Sequence, residues 1–117
     1  MDYIQAILLA IIEGITEFLP ISSTGHMAIF SSFMGIGKDD FTKLFEIVIQ
    51  LAAILSVVVI YWRRFFDFTR WRFYVKLMIA VIPALIIGGL FKSHIEKMME
   101  TPIVISMMLV IGGIVLL

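Results

Sequence analysis

Between Glu13 and His26 the chain reads EGITEFLPISSTGH, placing two carboxylates, two serines, a threonine and a histidine within one short stretch of a mostly apolar sequence. Glu13 and Glu17 are four residues apart, so on a helix they share a face and can converge on one cation or one substrate group. Two carboxylates held close in a poorly solvated site need a divalent cation between them, or one must bind a proton. The bland alternative is a structural pairing with Lys or Arg. Ser22, Ser23, Thr24 and Gly25 stand where a second helix begins, and exposed N–H groups at such a terminus suit a phosphate. A single hydroxyl there would be an ordinary helix cap, but three in a row followed by glycine and histidine exceed what capping needs. His26 falls in the first turn of that helix, where the dipole favours a neutral ring able to act as base or nucleophile. A satisfied buried histidine is the competing reading.

These residues sit in a membrane protein. Of 117 residues, 62% are hydrophobic and mean hydropathy is +1.10, well above the roughly 45–50% apolar content of soluble domains. Nine Lys and Arg balance nine Asp and Glu, so no net basic field argues for nucleic acid. The absence of cysteine excludes a disulfide framework, a thiol nucleophile and a thiolate metal site. The first residues lack the basic flank of a cleavable signal. The apolar run from Pro102 to Leu117 has no polar flank, so the chain is expected to be the N-terminal fragment of a longer polypeptide.

The elements that must position the reactive groups follow from helix length. Tyr3 to Leu19 is helical in pattern and about 25 Å long, ending before Pro20. Glu13 then lies about 15 Å along the axis, near the middle of a hydrocarbon core roughly 30 Å thick, and an ionisable group at that depth marks a functional site. Gly25 to Ile36 spans only about 18 Å, too short to cross. Residues 1–36 are therefore read as a re-entrant helical hairpin with the polar turn at its tip, irregular backbone being tolerated where protein or water surrounds it.

Three transmembrane helices are expected after it, over 41–61, 75–91 and 102–117. The first carries Glu46 and Gln50 on one face, facing the same cavity or bonding between helices. The link from Trp62 to Lys76 holds five basic residues against Asp67 alone, which places it on the cytoplasmic side. In the fourth segment, Pro83 and the pair Gly88/Gly89 predict a kink and a close helix contact. Lys92 to Thr101 is an outer polar loop in which His94 is solvated. The fold class is all-α, polytopic, in one membrane domain, and the hairpin opens to the extracytoplasmic side.

Glu13 to His26, together with FEIVIQL from Phe45 to Leu51 and the WRR exit at Trp62, resembles the N-terminal half of the bacterial undecaprenyl-diphosphate phosphatases, also described as bacitracin-resistance proteins. The resemblance covers essentially the whole chain in segment layout. It implies a multi-pass enzyme of the bacterial inner membrane, built from two inverted repeats of which this chain is one. Such an enzyme removes the terminal phosphate of undecaprenyl diphosphate with a divalent cation, Mg2+ or Ca2+, and recycles the lipid carrier of cell-wall peptidoglycan. Glu13 and Glu17 match the acidic pair credited with metal binding or proton transfer. Ser22, Ser23, Thr24 and Gly25 match the turn that holds the diphosphate or supplies the nucleophile, with Gln50 as a further substrate contact. His26 matches the histidine proposed as nucleophile or acid, so the nucleophile stays open among Ser22, Ser23 and His26.

The family's second signature, Pro-Gly-x-Ser-Arg-Ser, whose arginine clamps the phosphate, is absent from these 117 residues. The partners implied are the polyprenyl diphosphate lipid, the membrane and a C-terminal half, and the fragment alone is expected to be inactive or nearly so. The second reading is half of an inverted-repeat secondary transporter or lipid translocator, since broken hairpins and buried carboxylates are parts of those machines too.

Overall fold

A computed structural model describes residues 1–117, all of its regular structure helical. The first helix, α1, is Tyr3–Thr16. Asp2 caps it, accepting the Gln5 N–H at 2.8 Å while its own N–H donates to Gln5 Oε1 at 2.9 Å, a reciprocal box that satisfies two orphan donors. The helix stops three residues short of the expected Leu19. Pro20 has no N–H to continue the ladder, and Leu19 N–H instead closes a tight turn on the Thr16 carbonyl at 3.3 Å. After the turn, α2 is Ser23–Phe33. At about 21 Å and 17 Å, both arms of the hairpin are shorter than a bilayer core, and the expected mismatch between them largely disappears.

A long helix follows, α3, Asp40–Ile60, then the single turn α4, Trp62–Phe65, and a second long helix, α5, Trp71–Leu90. Both α3 and α5 are long and apolar enough to cross a membrane. The basic link between them is shorter than expected because α5 starts at Trp71 rather than Val75. Tyr74 donates its hydroxyl to the Phe65 carbonyl, and its ring stacks on Phe68 at 6.1 Å. Asp67, held below the usual carboxylate range first by the Thr69 hydroxyl and then by the Thr69 N–H, lies 3.6 Å from Arg70.

α5 runs through Pro83 as one helix, and within this chain a Cβ on Gly88 or Gly89 would meet nothing within 4 Å. The stretch expected as an outer loop is a helix, α6, Lys92–Met99, with His94 exposed as foreseen. Its axis is bent by 99° from that of α7, Pro102–Leu116. Together α6 and α7 are apolar and long enough for one broken span or a re-entrant loop.

Only 9 of 117 residues are buried, which confines protein-on-protein packing to one place. α1 turns Leu9, Glu13 and Thr16 towards α2 and α3, and α2 packs on its other side against Ile105 of α7. Gly25 makes that second contact possible: a Cβ there would lie 3.2 Å from Leu109 Cδ2 and 3.4 Å from Ile105 Cγ2. α5 buries nothing.

Candidate functional site

The small core is polar at its centre. Glu13 is 2% exposed, and neither carboxylate oxygen has a hydrogen-bond partner. Its polar neighbours are Glu17 and Ser23, with Glu46 of α3 near enough to act on its charge. An unpaired carboxylate in such surroundings is costly unless a proton or a cation completes it.

Glu17 caps the end of α1, one turn beyond Glu13. Ser23, the first residue of α2, donates its hydroxyl to Glu17 Oε2 across the hairpin turn. The bond depends on the conformation of Ser22, whose φ of 60° and ψ of 93° lie where residues other than glycine rarely go. Ser22 is exposed and caps α2, its Oγ accepting the Gly25 N–H at 3.3 Å. Its carbonyl faces His26 Nδ1 at 2.8 Å. A carbonyl only accepts, so Nδ1 is the donor and Nε2 is left without a protein partner.

The structure thus gathers Glu13, Glu17 and Ser23 and sets Ser22 and His26 on the outer rim of the same turn. Thr24, also exposed, accepts from Gln50 Nε2 at 2.6 Å. That bond ties α3 to the turn and uses one of the two N–H groups of the Gln50 amide. Gly25 serves packing against α7, since it is buried beneath Ile105 and Leu109.

One residue belongs here that the reading of the sequence had left undecided. Glu46 lies one helical turn before Gln50, has a buried Oε1 without a partner, and neighbours Ser31 and Lys43. The signal was its four-residue spacing to Gln50, which puts both on the α3 face that meets the hairpin. No three Asp, Glu or His side chains are gathered as a metal cage.

Fold and site together define a polytopic, all-helical membrane protein whose acids and hydroxyls meet at the turn of a short helical hairpin. The chain belongs to the family described as bacitracin resistance protein BacA, whose model matches residues 6–117. It is 62% identical over 117 residues to a protein of Flavobacterium psychrophilum named undecaprenyl-diphosphatase, covering all of this chain and 44% of that one. It is 58% identical to a protein of the same name from Flavobacterium johnsoniae, with 43% of that chain covered. For the like-named protein of Bdellovibrio bacteriovorus the identity is 53%, over 44% of its length. The chain therefore spans somewhat less than half the length of these curated relatives. No solved structure matches it.

Proposed function

We propose that this chain supplies one half of the active site of a membrane phosphatase that hydrolyses undecaprenyl diphosphate to undecaprenyl phosphate and orthophosphate. The observation that carries this reading is the Ser23–Glu17 hydrogen bond beside an unpartnered Glu13, in a family whose relatives bear the name of that activity. A hydroxyl bonded to a carboxylate is the arrangement of a nucleophile with its base. Ser23 Oγ attacks the terminal phosphorus as Glu17 takes its proton, and the bridging P–O bond breaks to release undecaprenyl phosphate. Water, giving up a proton to His26 Nε2, then attacks the phosphoserine, and Ser23 Oγ leaves with the proton that Glu17 returns. His26 can take that proton because its Nδ1–H is held by the Ser22 carbonyl, which leaves Nε2 a free lone pair.

A divalent cation, Mg2+ or Ca2+, fits the donors present: Glu13 offers two unpartnered buried oxygens and Glu46 one, and waters and phosphate oxygens would complete its shell. When bound it would neutralise charge on the phosphoryl oxygens. The rest of that stabilisation is assigned to a C-terminal half carrying the arginine signature. We place the enzyme in the bacterial inner membrane, the basic turn at Arg63 to Lys76 inside and the hairpin opening outside.

The test is release of orthophosphate from a polyprenyl diphosphate by the full-length protein and by residues 1–117 alone. Turnover by the full-length protein with little or none from the shorter chain is expected. Robust turnover by the shorter chain would overturn the half-site, and ion-dependent flux without phosphate release would overturn the reaction.

A further inference from the structure

Beside the hydroxyl turn lies a cavity of about 700 Å³, bounded by α2, α3 and the elbow between α6 and α7. Its walls are polar for so apolar a chain: Thr24, Ser31 and Ser32 from α2, Lys38 from the link, and Lys43 and Glu46 from α3. Its inner end meets the hydroxyl turn at Thr24, the partner of Gln50, with Glu46 on the same wall; Glu13, Glu17 and Ser23 are not part of its lining. Its outer end is ionic. Lys43 Nζ lies 3.5 Å from Glu100 Oε1, joining the start of α3 to the elbow, with Glu96 on the same rim.

We propose that this cavity is a water-filled vestibule through which water reaches the hydroxyl turn and orthophosphate leaves it, the Lys43–Glu100 ion pair bridging its mouth. The passage of orthophosphate rests on the phosphatase reading; the filling by water does not. A cavity this large, lined by hydroxyls, ammonium groups and carboxylates, meets the conditions for holding water. Water there also satisfies the irregular backbone of the turn, which lipid would not. The mixed charge favours passage over capture. Lys38 and Lys43 draw an anion inward, while Glu46, Glu96 and Glu100 keep it from being held, as a conducting path requires. Lys43 stands three residues before Glu46, so the cation that closes the mouth is also the one nearest the inner carboxylate.

The chain contains no cysteine, which allows an introduced thiol to report its own surroundings. In the full-length protein in membranes, Ser32→Cys is expected to react with a charged, membrane-impermeant thiol reagent about ten-fold or more faster than Ile82→Cys, which sits on the apolar surface of α5. Lys43→Ala in the Ser32→Cys background is expected to speed that reaction several-fold. Equal slow rates at positions 32 and 82 would overturn the vestibule, and an unchanged rate with Lys43→Ala would overturn the closure. Orthophosphate is expected to inhibit as a product, and the Lys38→Ala, Lys43→Ala variant to need several-fold more of it for half-inhibition. Unaltered inhibition would overturn the exit route. A complete lack of phosphate release by the unsubstituted protein would instead overturn the phosphatase reading, and the labelling rates would still decide whether the cavity holds water.

Discussion

Ser23, the first residue of α2, donates its hydroxyl to Glu17, the cap of α1, so the two arms of the hairpin are joined by the pair assigned as nucleophile and base. In the full-length protein, Glu17→Gln and Ser23→Ala are each expected to lower kcat about 10²–10⁴-fold, the range of a lost general base. The double variant should be little worse than the poorer single one, because groups that act as a unit do not add. Rates of phosphate release from the three variants check this, and full additivity would contradict the pairing.

Glu13 should behave differently, because its cost is felt by the fold. Its oxygens are buried without partners, so Glu13→Gln, which removes the ionisable group at nearly constant shape, is expected to stabilise the cation-free protein by about 1 kcal/mol, or roughly 2–4 °C in Tm. The same change should abolish the stabilisation by Mg2+ that is expected of the unsubstituted protein. Chelation of divalent cations should stop phosphate release by the unsubstituted enzyme, with Mg2+ restoring it. Thermal unfolding with and without Mg2+ tests the first part, and phosphate release the second.

Gly25 is expected to be intolerant of even one methyl group. The Cβ of Gly25→Ala would sit 3.2 Å from Leu109, 3.3 Å from Ser22 Oγ and 3.4 Å from Ile105. Either α7 moves away or the cap of α2 shifts, at a cost of about 1–3 kcal/mol. Gly14, with open space where its Cβ would be, is the control, and Gly14→Ala should be neutral or stabilising. Unfolding midpoints of the two variants give the comparison.

Ser22 separates strain from capping. Ser22→Gly loses the cap and gains backbone freedom at a φ of 60°, whereas Ser22→Ala loses the cap and keeps the strain. The alanine variant is therefore expected to be the less stable by about 1 kcal/mol, measurable by thermal unfolding.

Much of this site was legible because apolar surroundings make polar residues conspicuous: Glu13, Glu17 and the Ser-Ser-Thr-Gly-His run announce themselves against their neighbours. Their pairing was not legible. Which serine meets Glu17 depends on the path of the chain between Glu17 and Ser23, set by Pro20 and by an unusual torsion at Ser22 that no residue type advertises. Glu46 was visible only as half of a four-residue spacing, since its approach to Glu13 is made by packing between helices distant in sequence. Gln50 was expected to face the cavity or to bond between helices, and it bonds across to Thr24. An error lies where a run of charges from Lys92 suggested a loop and α6 forms instead.

The two long helices, α3 and α5, bury only Thr42 within this chain, so their flanks are left to be covered by lipid or by the proposed C-terminal half. Cohesion is then partly borrowed from the surroundings: a detergent that strips bound lipid removes some of what keeps α5 upright, while the compact hairpin keeps its own contacts. Purification in lipid nanodiscs and in short-chain detergent should accordingly yield proteins alike at Ser23 and Glu17 and unlike along α5.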